Sequence, residues 1–468
     1  MSKIAKDYMY NSLYQIFVLL VPIVTIPYIS RVLGPYNIGV NSYTNSVVQY
    51  FILIGGIGVT NYGNRQIAYC RGDKEKISRN FWEIFFLRCI TLFISLMFFY
   101  IIIFGFSNKY FKEYVAQSIL IISTAFDISW FYMGLEDFKT TVLRNLIIKI
   151  VTLFCVFYFV KSRSDLLLYI LILSISQLLG NLSLFPKLLK LISKPDFNNL
   201  NILRHLGPSS KLVISELAIP FYVIINKTML GKLDSMEASG FYDNSDKIIK
   251  MVLAIVTATG TVMLPRVAKT FAQGNMKKVK SYLYNSFNFV SFISIPMMYG
   301  VAAISPKFVP MFFGNNFSGI IPLIMIESTL ILVIGWGNVF GAQYLIPVNK
   351  VSIYTKAILL GALTNLILGF PMIYKFGTIG AMIVTVLSEI TVTGYELYSI
   401  RNDICLNLLF KDIWKYFVSG LVMFLVVLIL NINLKFNILI MAIEILFGSF
   451  IYFFILWFLK PRILKKLF

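Results

Sequence analysis

Four charged residues lie close together in the stretch FYDNSDKIIK, residues 241–250. They are Asp243, Asp246, Lys247 and Lys250, and their spacing places all four on one face of a helix. Each aspartate precedes a lysine by four residues, which is the spacing at which helical side chains form ion pairs. Lysine ammonium groups bind phosphate and other anionic headgroups. The spacing therefore predicts one charged helix face with two local ion pairs. Its residues either lie at the membrane interface or, together with further bases, provide lysines that bind an anion.

The helix that carries these charges is predicted to cross a membrane. The apolar run from Ile248 to Leu264 is at the short limit for a span, whereas a start at Gly240 gives a comfortable length. The charges therefore lie in the outer part of the span. We expect Asp243 to lie near the entrance and Asp246 to neutralise charge locally. Lys247 and Lys250 lie deeper, and we expect them to face a water-filled cavity.

The whole chain has the composition of a polytopic membrane protein. It has 468 residues, of which 58% are hydrophobic and 13% charged, and its mean hydropathy is +0.79. Apolar runs recur from end to end, and we count about fourteen segments long enough to cross a bilayer. The runs are too long and too uniformly apolar for barrel strands, so the fold class is all-α.

The net charge of +21 is interpreted as a topology signal. The basic residues alternate with apolar spans instead of forming one patch, which argues against nucleic-acid binding. Their excess in alternate loops places both termini in the cytoplasm. The four cysteines have no paired spacing and His205 is the single histidine, so we expect neither a metal site nor a histidine-based catalytic triad.

Two segments of the chain resemble each other and predict an internal repeat. GPYNIGVNSYTNSVVQYF precedes NYGNRQIA, and GKLDSMEASGFYDNSDKIIKMV precedes VMLPRVAK. The same number of residues separates Gly39 from Arg65 as separates Gly240 from Arg266. We predict two parallel six-helix lobes around a central cavity, residues 1–200 and 201–405, followed by two additional helices in residues 406–468.

The repeat gives the charged stripe a polar counterpart in the first lobe. The equivalent positions are Ser42, Asn45, Ser46 and Gln49. Further basic residues fall within or beside spans, and together with the two lysines they predict a cationic cavity. These further bases are Lys227, Arg31 and Arg88.

Acidic residues also fall within the predicted spans. Such residues pair with bases in a cavity, carry protons or Na⁺ in coupled transporters, or form structural hydrogen bonds between helices, and the sequence leaves all three roles open. No other cofactor is expected. The acids are Asp127, Glu216, Glu327 and Glu389.

Several motifs resemble those of Wzx-type polysaccharide flippases, which belong to the multidrug/oligosaccharidyl-lipid/polysaccharide exporter superfamily. They include SRVLGPYNIG, NYGNRQIAYCRGDKEK, DISWFYMGLEDFKTTVLRN and GTIGAMIVTVLSE. The most characteristic is the W-F-x-x-G-L-E pattern that runs from Trp130 to Glu136. The likeness covers the first twelve spans.

The resemblance implies a transporter and not an enzyme. The implied substrate is an oligosaccharide unit on undecaprenyl pyrophosphate, moved by alternating access from the inner to the outer leaflet of the bacterial cytoplasmic membrane. It would serve capsule, exopolysaccharide or O-antigen synthesis, with a polysaccharide polymerase and chain-length machinery as partners. The cavity bases correspond only loosely to Arg31, Lys227, Lys247 and Lys250.

Three other functions stay open at this point. A flippase for lipid II or a teichoic acid precursor would use the same charge logic. A multidrug exporter of the same superfamily would be expected to keep acids in its cavity, whereas the deeper residues of this stripe are lysines. A membrane-embedded polysaccharide polymerase would need a sizeable outer loop with catalytic groups, and the sequence predicts only short outer loops.

Overall fold

The computed structural model describes the backbone of residues 3–106, 109–434 and 437–463. It describes the side chains of residues 21–105, 109–210, 220–434 and 437–463. Within these ranges every regular element is helical, and ten helices are long and apolar enough to cross a membrane. The predicted all-helical, multi-pass class is confirmed. The count of fourteen spans stays a prediction.

The chain divides into two compact units, residues 1–228 and 229–468. The division falls within a helix, whereas the predicted lobes meet in the loop before it, so the predicted lobe boundaries stay predictions. Nine helices begin in the first unit: α1 Lys3–Gly56, α2 Val59–Tyr69, α3 Lys74–Phe106, α4 Phe111–Ala125, α5 Ser129–Gly134, α6 Phe138–Phe159, α7 Leu166–Leu182, α8 Phe185–Leu191 and α9 Leu206–Leu233.

The second unit contains the end of α9 and eight further helices. A π-helical segment, Gly341–Leu345, follows the fourth of them. The helices are α10 Met236–Ala272, α11 Met276–Phe313, α12 Ile320–Glu327, α13 Thr329–Phe340, α14 Val351–Ile400, α15 Leu406–Phe410, α16 Ile413–Asn433 and α17 Ile438–Leu459.

The long helix α1 consists of two arms that meet at Gly34. This residue has φ 77° and ψ 171°, a conformation that glycine adopts at little steric cost, and Pro35 follows it. The first arm lies against the end of α6, where the Tyr28 hydroxyl donates to the Val160 carbonyl over 2.7 Å. The second arm lies against α3, where the Ser95 hydroxyl donates to the Phe51 carbonyl over 2.7 Å. Each arm therefore has its own neighbour.

The helix α14 reverses direction at Gly377, which has φ 55° and ψ −132°. A Cβ atom on Gly380 would collide with the backbone carbonyl of Met372, so the two arms touch beside the turn. Further along, a Cβ on Gly361 would lie 3.1 Å from the Ser388 carbonyl oxygen. The contacts pair residues symmetrically about the turn, as two antiparallel helices do. The 50-residue helix is therefore a helical hairpin.

The characteristic aromatic motif lies in a buried cluster of the first unit. Trp130, in α5, is fully buried and packs on α2, where a Cβ on Gly63 would lie 2.5 Å from its ring. The Tyr132 hydroxyl donates to the Leu184 carbonyl over 2.7 Å. A Cβ on Gly134 would lie 2.7 Å from Ile67. These contacts give the motif an architectural role, because they join α2, α5 and the loop before α8.

One structural difference between the two predicted repeats lies at residues 57–58 and their equivalents. In the first unit the helix ends at Gly56, and Ile57 and Gly58 both have positive φ before α2 begins. In the second unit α10 continues through the equivalent residues, Ala258 and Thr259. Gly58 adopts the left-handed conformation at little steric cost, whereas a threonine rarely adopts it.

Candidate functional site

The charged stripe lies on α10, near the beginning of the helix. The helix starts after Ser235, whose side chain accepts a hydrogen bond from the Ala238 amide and caps the first turn. The stripe follows within the next four turns, all of which are regular helix. The local sequence therefore fixes the direction in which the charged side chains project.

Both ion pairs that the spacing predicts are present. The Lys247 ammonium donates to Asp243 Oδ2 over 2.5 Å, and the Lys250 ammonium donates to Asp246 Oδ2 over 2.7 Å. The aspartate side chains are 9% and 11% exposed, whereas the lysine side chains are 46% and 58% exposed. Each buried carboxylate therefore holds an ammonium group that remains accessible.

The exposure of Lys247 and Lys250 restricts what can lie beside them. An ammonium has three N–H donors, and the hydrogen bond to the aspartate uses one. Hydrocarbon cannot accept the remaining donors, so charged groups within a membrane protein face water or an anionic partner. The arrangement can bind the oxygen atoms of an anion while the aspartates fix the positions of the ammonium groups.

The side chains of the equivalent stripe on α1 are less exposed than the two lysines on α10. Ser42 and Ser46 are buried, and Asn45 and Gln49 are half-buried. The Ser46 hydroxyl lies 3.0 Å from the hydroxyl of Thr228 on α9, in the same unit. The structure thus uses Ser46 in a helix contact and leaves Asn45 and Gln49 partly accessible.

The three further bases have different environments. Arg31 is exposed on the first arm of α1, and Lys227 is half-buried on α9. Arg88, on α3, is 3% exposed, and its Nη2 lies 3.8 Å from Oδ2 of Asp127. Arg88 therefore lies beside an acid inside the first unit and presents almost no surface in this conformation. Its predicted contact with a substrate stays a prediction.

The predicted ion-coupling acids lie on different parts of the chain. Asp127 lies between α4 and α5, where its Oδ1 accepts from the Ser129 amide. Glu327 is fully buried at the end of α12 and accepts from the Ser245 hydroxyl over 2.5 Å. Glu389 is half-buried on α14. Glu216 is on α9, but its side chain lies outside those that the structure describes.

A polar cluster that the sequence analysis did not predict connects α3 with the segment before α9. Glu83 is fully buried and accepts from Arg79 Nε over 3.0 Å and from the Asn201 amide over 2.8 Å. It also pairs with Arg204, and His205 Nε2 lies 2.8 Å from its Oε2. The spacing of Arg79 and Glu83 signals one pair, but nothing local signals the partners more than a hundred residues away.

The single histidine, His205, is part of this cluster. Burial lowers the pKa of His205 below its ordinary value, although its bond to Glu83 opposes this. Its Nδ1 lies 2.7 Å from the Tyr62 hydroxyl, and its Nε2 lies 2.8 Å from Glu83 Oε2 and 3.2 Å from Arg204 Nε. His205 therefore joins α2, α3 and the segment that leads into α9.

Lys149 is a further charged residue that was not predicted to have a functional role. It lies at the middle of α6, a 22-residue candidate span, and is half-buried. The rule that singled out Asp127 and Glu327 applies equally to a lysine at the centre of a span, so the signal was present in the sequence.

Comparison with curated proteins finds relatives that span most of this chain. A protein named as an O-antigen transporter of Escherichia coli strain K12 is 23% identical over 397 residues, which cover 82% of this chain and 93% of that protein. A protein of Haloferax volcanii named as the low-salt glycan biosynthesis flippase Agl15 is 22% identical over 238 residues, 50% of this chain and 48% of its own length.

Comparison with solved structures supports the fold. The lipid II flippase MurJ in an inward closed conformation matches with a TM-score of 0.77 at 15% identity, covering 97% of this chain and all of that one. An inward-facing multidrug resistance transporter of the MATE family matches with a TM-score of 0.58 at 13% identity, covering 82% of this chain and 98% of that one. Both matches agree with the predicted fold class.

The family assignment rests on the sequence profile of one protein family. That profile, described as "Polysaccharide biosynthesis protein", matches residues 4–271. The matched region contains the aromatic motif and the charged stripe of α10. It covers more than half of the chain and confirms the resemblance to Wzx-type flippases. The chain belongs to the polysaccharide biosynthesis protein family.

Proposed function

We propose that this protein is a flippase that moves lipid-linked oligosaccharide units from one leaflet of a membrane to the other. The family and the names of its relatives support a role in glycan export. The observation that carries the proposal is the pair of accessible ammonium groups of Lys247 and Lys250, held on buried aspartates within a candidate span.

The substrate group that these lysines bind is a pyrophosphate. Lys247 and Lys250 are three residues apart, so they are neighbours on one helix face. Each ammonium keeps donors beyond the one bound to its aspartate, and a pyrophosphate offers acceptor oxygens on two adjacent phosphates. We assign Arg31, Lys227 and Arg88 as further bases along the path, and Asn45 and Gln49 as polar residues that contact the glycan.

The cellular setting is part of the same proposal. The protein resides in the cytoplasmic membrane of a bacterium with both termini in the cytoplasm, and the lipid carrier is undecaprenyl pyrophosphate. The glycan units then serve capsule, exopolysaccharide or O-antigen synthesis. A polymerase and chain-length machinery act on them after transfer.

Transport by alternating access needs a source of free energy when it runs against a gradient. We propose a proton or Na⁺ gradient, with Asp127, Glu216, Glu327 and Glu389 as the candidate carriers. Among the three of these acids whose side chains the structure describes, Glu327 is the most buried. It accepts a hydrogen bond from Ser245, which directly precedes Asp246 of the charged stripe in α10.

A lipid II flippase is the second candidate function. The observation in its favour is the fold, because the match to MurJ extends over nearly the whole chain. The charge chemistry is the same, since lipid II also carries a pyrophosphate. The two candidates differ in the glycan, so a transport assay that offers both substrates separately distinguishes them.

The double variant Lys247→Ala/Lys250→Ala tests the role of the stripe in cells. We expect it to reach the membrane at the normal level and to lose surface polysaccharide, because each lost charge-assisted contact costs about 1.5–3 kcal/mol. Lys269→Ala is the matched control, since Lys269 is an exposed lysine near the end of the same helix. Normal polysaccharide in the double variant would refute the assignment of the stripe.

A further inference from the structure

Lys149 occupies the most costly depth for a charge in a transmembrane helix. It lies halfway along α6, Phe138–Phe159, so that about three turns of helix separate it from either end. A lysine side chain near a helix end reaches the headgroup region, but one at the centre has to find a polar environment within the protein. We therefore expect the ammonium group of Lys149 to contact polar groups inside the first unit.

The orientation of α6 directs Lys149 toward that interior. The exposed face of the helix is marked by Leu143, Ile147, Phe154 and Tyr158, whose exposed fractions lie between 52% and 75%. Successive residues are rotated by about 100° around a helix axis, so Lys149 projects about 200° from Ile147. Lys149 thus points away from the apolar, exposed face and toward α1 and α7.

A cavity of about 230 Å³ receives this side chain. No aspartate or glutamate is among the described residues that line it, so the ammonium is the one charged group of the lining. The rest of the wall is aliphatic. The polar lining residues are Thr25 of α1, Lys149 and Thr152 of α6, and Tyr169, Ser176 and Gln177 of α7.

The chemistry of this lining favours an anion that is attached to hydrocarbon. The ammonium group supplies positive charge, and Ser176 and Gln177 bring a hydroxyl and a carboxamide that donate hydrogen bonds. A phosphate ester accepts from all three groups. The aliphatic walls fit an alkyl chain better than they fit a hydrated inorganic ion.

We propose that the cavity around Lys149 is a binding site for the phosphate group of a lipid. The site lies wholly in the first unit and is formed by other helices than the one that carries the charged stripe. Two lipids have this chemistry: a polyprenyl phosphate, as in a glycan carrier, and a phospholipid of the bilayer. The proposal does not require that the protein transports either of them.

Direct binding to the purified full chain in detergent tests the proposal. The probes are a polyprenyl phosphate, phosphatidylglycerol and the uncharged polyprenol, and native mass spectrometry measures how much of each is bound. We expect a phosphate-bearing lipid to bind and the polyprenol to bind at least tenfold more weakly. Lys149→Gln should reduce phosphate-lipid binding by about tenfold or more, because a charge-assisted contact is lost. Lys149→Arg should retain most of it.

Lys139→Gln is the matched control, because Lys139 is an exposed lysine in the first turn of the same helix. Binding that is unchanged in Lys149→Gln, or reduced equally in Lys139→Gln, would overturn the proposal. Binding of the polyprenyl phosphate alone assigns the site to a carrier lipid, and preference for phosphatidylglycerol assigns it to a bilayer lipid.

A second measurement does not depend on the folding of a variant. A photoactivatable polyprenyl phosphate, crosslinked to the unaltered protein, should label peptides of α6 and α7 around Lys149 and Gln177. The Lys247→Ala/Lys250→Ala variant should give the same labelling, whether or not it transports, so failure of this site is distinguishable from failure of the flippase proposal. Labelling that avoids α6 and α7 would overturn the proposal.

Discussion

At the scale of single residues, the proposed transport depends on how charge is held at Lys247 and Lys250. Their ammonium groups are anchored by Asp243 and Asp246, whose side chains are nearly buried. This geometry predicts that the transport rate depends more on the positive charge of these two side chains than on their shape. Lys247→Arg/Lys250→Arg should keep most of the transport rate, whereas Lys247→Gln/Lys250→Gln should lower it by tenfold or more. Initial rates in proteoliposomes measure the difference, and equal rates in both variants would contradict the proposed role.

His205 predicts how the stability of the protein depends on pH. Burial lowers the pKa of His205 below 6.5, its ordinary value, so the folded protein binds fewer protons than the unfolded chain near that pH. The lowered pKa of His205 contributes stability that is fully present above pH 6.5. This stability is lost as the pH falls toward the pKa of His205 in the folded protein. We therefore expect the thermal unfolding temperature in detergent to fall with pH below 6.5.

The control for this effect is His205→Gln, which removes the single histidine. Its unfolding temperature should change less with pH over the same range, although it should start lower because the contacts with Glu83 and Tyr62 are altered. The same steep pH dependence in His205→Gln would show that other groups are responsible.

Residue spacing predicted local pairs well and distant contacts poorly. The two Asp–Lys pairs on α10 follow from helix geometry alone. The contacts of Glu83 with Arg204 and His205 could not be predicted, because they depend on tertiary packing. Pairing of the span acids with bases was one open possibility, but the sequence did not show that Asp127 is the acid beside Arg88. Lys149 was detectable from its position in a span, but the cavity beside it depends on how α1, α6 and α7 pack.

At the scale of elements, the reversal within α14 depends on Gly380. A Cβ atom at this position would collide with the Met372 carbonyl of the opposite arm. Gly380→Ala should therefore force the arms apart and destabilise the protein by about 1–3 kcal/mol or more. Gly394→Ala is the control on the same helix, since open space surrounds that residue. Unfolding temperatures compare the two variants, and an equal response in both would contradict this reading of the hairpin.

The contact between α2 and α5 gives the characteristic motif a testable structural role. A Cβ on Gly63 would lie 2.5 Å from the ring of the fully buried Trp130, and a large ring cannot move without opening the cluster. Gly63→Ala should destabilise the protein by about 1–3 kcal/mol, measured by thermal unfolding. Gly105→Ala should have little effect, because no described atom lies within 4 Å of the position that its Cβ atom would take. A stable Gly63→Ala variant would exclude tight packing at this contact.

Glycine and proline mark breaks inside the long helices. Gly34 with Pro35, and Gly377, interrupt the two longest helices. The helix before α2 ends at Gly56, whereas α10 continues past the equivalent position. Gly58 allows a left-handed residue there, whereas Thr259 at the equivalent position continues the helix.

At the scale of the whole molecule, composition alone was sufficient for the fold class. A chain with 58% hydrophobic residues in repeated apolar runs has few alternatives to a helical membrane protein, and the likeness to solved transporters agrees. Composition does not specify the substrate, because lipid-linked glycans of several pathways share one pyrophosphate chemistry. The substrate therefore has to be determined by transport.

Flipping of a defined lipid-linked oligosaccharide by the purified protein in proteoliposomes tests the central claim most directly. A membrane-impermeant glycosidase measures how fast the glycan of the inner leaflet becomes accessible, with and without an imposed proton or Na⁺ gradient. We predict transfer faster than in protein-free liposomes, lost in Lys247→Ala/Lys250→Ala and retained in Lys269→Ala. Transfer no faster than in protein-free liposomes, for lipid-linked oligosaccharides and lipid II alike and with either gradient, would contradict the account.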